Sequence, residues 1–498
     1  MANWNAYIND YYYPENTQAD APEKILYLFI RDALCKNSNN KEISKPLDNN
    51  WTNIFQEVNI KTNKNIRKNF LTHYIIKLRQ GTGASFPVPF HADIACYYKP
   101  IYKKSGRPMD NKGFSNKFLL LFMYKDGEIN YRLIQKFWDT LKSDKGLNYI
   151  ERYILEKIEE ETDYPFELKS KELLESSIDI NLDKFKCKYQ PEIFQKDLDF
   201  VLDLNLSRVD KINWIQNLFY YHFSSFMLRI YKIIKEEEIN FNNLDKVDHC
   251  SKCRGLDDCP FKGMINTQSN ISGNTNRETK EIKQHYKIIS NDIFINGYYR
   301  FIAFNQLVKT FKAIKSREPN NLKEISELYK DNKKEFIYKI KKRLNSDKYK
   351  LNELCDIQDY FADFDSKNIF SIVTELYKDY YELKATRTPN SATVQVFNKL
   401  AGDKMGCKYL RIQRRRGATN FFLLKSDFLT FITNIIVGKQ NQMLLKNYWE
   451  QMRIRGFTYA SQREKKYIEE QLALLGHLEK KSDAGESIFV KKTVEGVD

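Results

Sequence analysis

"SQREKKYIEEQLALLG", Ser461 to Gly476, fixes the reading of the C-terminal part of this 498-residue chain. Ser461 suits a helix N-cap, Glu464 three residues later completes a capping box, and Gly476 stops the helix. Tyr467, Ile468, Leu472 and Leu475 recur at helical spacing and predict one buried stripe. Gln462, Arg463, Lys465 and Lys466 stand on its first turns. Two helices are expected before it. "KSDFLTFITNIIVG" opens at Ser426 and closes at Gly438; "NQMLLKNYWEQMRIRG" closes at Gly456. After it, "HLEKKSDAGESIFVKK" alternates into a hairpin turning at Asp483-Ala484-Gly485. Three short helices and a hairpin predict a winged helix. Its third helix would be the recognition helix. Its wing would carry Lys480 and Lys481 on one arm and Lys491 and Lys492 on the other.

The whole chain reads as mainly α and multi-domain. Its length exceeds what one core organises, so two to four domains are expected. Only 18 Gly and 12 Pro favour long helices over a turn-rich β fold. Residues 1–125 read as a mixed, helical N-terminal domain, with 82–113 loop-like. Residues 126–248 read as a helical domain. In it, "LNYIERYILEKIEEE" places Leu147, Ile150, Tyr153, Ile154 and Ile158 on one face. "INWIQNLFYYHFSSFMLRIYKIIKEEE", Ile212 to Glu238, is apolar nearly all round and predicts a central buried helix, with His222 a hydrogen-bonded core histidine. Residues 249–265 form a cysteine-rich loop. "INTQSNISGNTNRETKE" follows as a polar connection within a basic helical region, 266–385. "TRTPNSAT", Thr386 to Thr393, reads as the linker into the last domain, 386–498.

The net charge of +16 is concentrated. Residues 301–350 hold 14 Lys and Arg against 6 Asp and Glu, and residues 401–498 hold 18 against 11. Such an excess suggests a polyanionic partner, nucleic acid first, although a lysine-rich solvated face explains the first stretch as readily. Arg411, Arg414, Arg415 and Arg416 in "YLRIQRRRGATNFFLL" are suited to bidentate phosphate contact; an acidic protein would serve equally.

Three of the eight cysteines fall in "DHCSKCRGLDDCPFKG": Cys250, Cys253 and Cys259. Three thiolates on one short loop suggest a metal centre. A zinc site usually offers a second C-x2-C knuckle, which is absent. Pro260 directly after the last cysteine suits an iron–sulfur loop. A 4Fe-4S cluster and zinc both stay open, as does a loop of free thiols. The other cysteines lack framework spacing, and no secretory leader or membrane span is legible, so a cytoplasmic protein with reduced thiols is expected.

Few catalytic motifs are present. No phosphate-binding P-loop and no H-E-x-x-H occurs. His285-x-Lys287-x4-Asp292 has the spacing of the phospholipase-D-type nuclease motif, where His attacks a phosphodiester and Lys stabilises its charge. It occurs once, so an active site would need a dimer. A helix or strand leading into the apolar "IFINGYYRFIAF" explains the same residues.

The run from "KYLRIQRRRGATNFFLL" through "LLKNYWEQMRIRGF" to "LGHLEKKSDAGESIFVKK" resembles the C-terminal part of DptG, a component of the bacterial DptFGH restriction machinery that acts on DNA lacking phosphorothioate marks. The resemblance covers about the last 100 residues; a related multi-gene anti-phage system is equally allowed. It implies ATPase and helicase–nuclease activities on partner chains and transfers no catalytic residue. The cysteine spacing also resembles the iron–sulfur staple of AddB-type helicase–nucleases. That likeness implies one distant upstream ligand, Cys187 first, with Cys35 and Cys96 as alternatives. The expectation is a non-catalytic subunit engaging double-stranded DNA within a restriction or anti-phage complex. A protein-binding adaptor, a phospholipase-D-type nuclease subunit and a transcription regulator are the alternatives.

Overall fold

A helix with apolar side chains on every face is stable only when enclosed. Arg208–Ile239 behaves accordingly: it is one 32-residue helix, and Leu218, Phe219, Phe223, Leu228, Tyr231 and Ile234 are all fully buried. Ser207 caps it, its Oγ accepting from the Asp210 backbone N–H at 3.2 Å. The computed structural model describes residues 26–27, 29–37, 45–46, 75–77, 85–87, 91–99, 120, 122–125, 128–161, 166–176, 189–246, 259, 261–268, 276–319, 321–346, 351–353, 355–362, 368–384, 391–402, 407–412, 420–481 and 487–495.

The described chain is mainly helical. Before the long helix come α1 (Ala92–Tyr97), α2 (Tyr131–Lys142), α3 (Tyr149–Glu161) and α4 (Tyr189–Leu202). The long helix is α5. It is followed by β1 (Ile265–Thr267), α6 (Asn276–Lys287) and, after the π-helical turn Ile288–Ile295, α7 (Asn296–Lys315). Next are α8 (Leu322–Asp331), α9 (Lys333–Asn345), α10 (Ile369–Leu383) and α11 (Ser391–Ala401). The two-residue strands β2 (Leu410–Arg411) and β3 (Phe421–Phe422) pair antiparallel. The C-terminal unit contains α12 (Ser426–Val437), β4 (Gln442–Leu444), α13 (Leu445–Ile454), β5 (Phe457–Tyr459), α14 (Gln462–Leu474), β6 (Leu478–Lys481) and β7 (Ser487–Lys491).

Aromatic side chains knit these elements to α5. Phe194 of α4 meets Phe219 edge-on at 5.3 Å, and Phe29, near the N-terminus, lies 5.6 Å from the same ring. Each such buried ring contributes about 1.5–3 kcal/mol of transfer free energy. At the other end of α5, α7 approaches so closely that only glycine fits: a Cβ on Gly297 would lie 2.2 Å from Tyr231 Cδ1. Arg300 of α7 then reaches Glu238 of α5, Nε to Oε2 at 2.6 Å. Among the described residues, most buried apolar side chains form one contiguous cluster from Leu26 to Val490, and Ile193 with Ile454 forms a small second one.

Several elements depart from the sequence reading. The supposed linker 386–393 enters helix α11 at Ser391. An amphipathic turn that buries Phe397 and Leu400 outweighs the local Thr/Pro/Asn signal. Residues 91–97, within the expected loop, hold α1, and the polar connection begins with strand β1. In the C-terminal unit, Lys425 rather than Ser426 takes the N-cap position of α12, and its side chain makes no capping bond. The start of the expected second helix is instead β4, whose Met443 pairs with Val490 of β7.

Candidate nucleic-acid interface

The C-terminal unit places its cations by ordinary helix and strand phase. Ser461 caps α14, its Oγ accepting the Glu464 backbone N–H at 3.2 Å, as the capping motif predicts. Ile468 and Leu472 are buried, while Tyr467 and Leu475 are half-buried. That phase leaves Gln462, Arg463 and Lys466 exposed. Lys465 is half-buried, 5.7 Å over the Tyr459 ring and 3.9 Å from Glu469. The helix is held by Trp449 of α13, whose Nε1 donates to Glu469 Oε1 at 3.0 Å. Thr433 and Tyr448 join α12 to α13 through their hydroxyls at 2.9 Å.

Strands β4, β7 and β6 form an antiparallel sheet in that order, with Val490 of β7 facing both Met443 and Leu478. Lys480 is exposed on β6 and Lys481 ends that strand. Lys491 is half-buried and 3.8 Å from Glu479; Lys492 follows the strand, also half-buried. The turn at 483–485 lies outside the described residues. Arg411 is exposed on β2 opposite Phe421. Arg414, Arg415 and Arg416 lie outside the described residues.

How the unit is fixed to the rest of the chain was not legible in the sequence. Asp197 of α4 is 2% exposed. Both its oxygens accept from Arg455, just after α13: Nη1 to Oδ2 at 2.5 Å and Nη2 to Oδ1 at 2.6 Å. Burial works against the Arg455 charge, but the carboxylate beside it more than compensates and holds its pKa above the ordinary value. His222 completes the cluster. The Gln190 amide donates to Nδ1 at 2.7 Å, so the ring proton sits on Nε2 and is donated to Asp197 Oδ2 at 2.9 Å. Burial pushes the His222 pKa down although Asp197 opposes it. His222 is thus the hydrogen-bonded core histidine the sequence suggested.

The same helix end receives the tail of the cysteine-rich segment. Arg229 of α5 donates from Nη2 to the Ile454 carbonyl at 3.1 Å and from Nη1 to Cys259 Sγ at 3.7 Å, and its guanidinium lies 4.0 Å over the Phe261 ring. Gly456 sits at φ +94°, and a Cβ there would lie 2.5 Å from Phe261. β1 then pairs in parallel with β5, Ile265 beside Phe457. Cys259 is half-buried. Cys187, Cys250 and Cys253 lie outside the described residues, and among the described residues no group of three or more His, Cys, Asp and Glu side chains could hold a metal ion. Cys35 and Cys96 are buried side by side, their thiols hydrogen-bonded to each other.

The helix also decides the geometry of the nuclease-like spacing. His285 and Lys287 both lie on α6, where residues two apart point about 200° apart; a strand would have put them on one face. His285 Nε2 accepts from the Asn266 backbone N–H at 3.1 Å, which ties α6 to β1. Lys287 is exposed. Asp292 is ion-paired with Lys235 and, at 3.2 Å, with Arg300. His285 and Asp292 thus bond to different partners, on β1 and on α5 and α7.

No family of known proteins matches the chain, and no curated protein is significantly similar to it. No helix among the described residues is long and apolar enough to cross a membrane.

Proposed function

We propose that the C-terminal unit is a winged helix that engages double-stranded DNA, and that the chain is a non-catalytic subunit of a bacterial restriction or anti-phage complex. The observation that carries this reading is the set of exposed Gln462, Arg463 and Lys466 on the first turns of α14, with Lys480 on the strand that follows. Arg463, Lys466 and Lys480 have no carboxylate partner among the described residues. The order helix, strand, helix, strand, helix, hairpin, with β4 against β7 of the hairpin and β5 pairing outside this sheet, supports the winged-helix assignment. A helix of this kind fits the major groove with its N-terminal residues toward base edges. The arginine run 411–416 adds phosphate contacts, and the DptG-like resemblance supports ATPase and helicase–nuclease partner chains.

Fluorescence anisotropy with a labelled duplex tests the reading. Lys466→Glu should abolish or strongly weaken binding while leaving the melting temperature nearly unchanged, since exposed substitutions stay within about 0.5 kcal/mol. Replacing Arg414, Arg415 and Arg416 by Ala should flatten the salt dependence by up to about three units. No duplex binding at about 50 mM salt, or binding indifferent to both changes, rejects it.

An adaptor role is the second reading. Leu474 at the end of α14 is 79% exposed and Leu444 is 42% exposed, which suits an apolar protein contact. Partner capture that persists at high salt and is lost in Leu474→Asp would favour it.

We propose also that Cys259, with Cys250, Cys253 and Cys187, holds an iron–sulfur cluster or, alternatively, zinc. The Arg229 hydrogen bond to Cys259 Sγ suits an anionic metal-bound thiolate in either centre. The centre would act as a cross-link between α5 and the C-terminal unit.

A further inference from the structure

We propose that helix α9 carries a second nucleic-acid site, for a single strand: Tyr338 stacks on an unpaired base while Lys334 and Lys342, about one turn to either side, hold the flanking phosphates. This site uses none of the C-terminal unit and stands or falls apart from it.

Helix α9 is 13 residues long and contains six Lys and Arg against a single acid, Glu335. Phe336, Ile337, Ile340 and Leu344 are its buried face. The face opposite is not the uniformly polar one that a solvated lysine helix would show. Tyr338 stands there 63% exposed, although rings are normally drawn into cores or interfaces. Lys334, Tyr338 and Lys342 follow one another at four-residue intervals, in steps of about 6 Å along the axis.

The partners of the surrounding cations sharpen the contrast. Lys341 donates to Gln358 Oε1 at 2.7 Å and lies over the Phe361 ring. Arg317 pairs with Glu324 at 2.8 Å, and Lys312 with Glu318 at 3.1 Å. These charges are engaged within the fold. Lys334 and Lys342 are exposed and have no carboxylate partner among the described residues. Two exposed ammonium groups flanking an exposed ring match a backbone with splayed bases. Phosphates take the point charges, and any base offers a face to the ring. In a duplex the bases are stacked on one another, so the ring would find only sugar and phosphate.

Anisotropy of the full chain with a labelled oligothymidylate of about 20 nucleotides, longer than the roughly 4–16 that a small site covers, tests this. Tyr338→Ala should weaken binding about fivefold to a hundredfold, from roughly 1–3 kcal/mol per stacked base. Tyr338→Phe should retain it. Lys334→Ala with Lys342→Ala should lower the salt slope by about 1.4, at 0.7 per single-strand phosphate contact. Lys466→Glu should leave the oligothymidylate affinity unchanged even if duplex binding is lost. The proposal is overturned if the oligothymidylate does not bind at about 50 mM salt, or if Tyr338→Ala binds it as the wild type does. It is also overturned if polyglutamate is bound as tightly and with the same dependence on Tyr338, since the face would then be a site for acidic protein.

Discussion

Arg455 grips Asp197 through both terminal guanidinium nitrogens, across 258 positions of sequence, in a setting where neither side chain is more than 7% exposed. One partner closes the second helix of the C-terminal unit; the other belongs to α4, alongside the central helix. The orientation of the candidate DNA-reading helix relative to the rest of the chain therefore depends on a buried ion pair and on His222, which bonds to the same carboxylate.

Removing one member should cost far more than removing both. Arg455→Ala or Asp197→Ala leaves a buried charge uncompensated, at about 3–5 kcal/mol. Arg455→Met combined with Asp197→Leu should cost much less than the sum of the single changes. Urea unfolding of the four proteins measures this, and additive losses would show that the two groups do not act as a pair.

Gly456→Ala should destabilise by about 1–3 kcal/mol or more, because the position combines a left-handed backbone with a 2.5 Å approach to Phe261. The added methyl pushes Phe261 away from Arg229 and so loosens the contact with Cys259. A thermal melt gives the magnitude. If Gly456→Ala melts as the wild type does, that packing is looser than described.

Stability should decline as pH falls below about 6.5. Burial lowers the pKa of His222, His285 and His477 from 6.5, so the unfolded chain binds more protons than the folded one just below that value. These terms are fully favourable above 6.5 and shrink toward the depressed folded values. The His91–Asp93 neighbours should be nearly silent between about 4 and 6. Burial pushes His91 down to about 4 and Asp93 up to about 6, so the folded pair is neutral with one proton, and the unfolded pair carries opposite charges, also with one proton. Urea midpoints in 0.5-unit pH steps (about the spacing needed to resolve a titration) should therefore show the slope persist in Asp93→Asn with His91→Gln. Its disappearance in that variant would assign it to the wrong histidines.

Metal content, rather than stability, is the proper readout for the cysteine centre. Cys407 is as buried as a core residue and its thiol donates to the Leu400 carbonyl at 3.2 Å, so serine there is also expected to disturb folding. Anaerobically purified protein should carry iron and sulfide with visible charge-transfer absorption, or else about one zinc per chain. Cys259→Ser should lose the metal and Cys407→Ser should keep it. Wild-type protein free of metal would reduce the three thiols to a loop.

The features legible in the chain before folding are local. The burial of Ile212–Glu238 followed from apolar residues on every helical face, and Ser461 and Gly476 set the ends of α14 because capping and left-handed closure act over one turn. The hairpin followed from alternation in its two arms. Tertiary structure decided the rest. β4 had looked like the start of a helix; its pairing with a strand some 45 residues later supplied hydrogen bonds that helical propensity could not outweigh. Lys425, not Ser426, took the cap of α12, and Ser391 began a helix where a linker was expected, because burying Phe397 and Leu400 overrode the turn signal. Asp197, His222, Arg229 and Arg455 carry no mutual spacing in the sequence. Only folding brings the four to one helix end, where Arg455 and His222 both bond to Asp197 and Arg229 reaches the Ile454 carbonyl. The exposure of Tyr338 was equally hidden. Periodicity places it opposite Phe336 and Ile340, but whether another element covers that face depends on the neighbours of α9, and among the described residues none does.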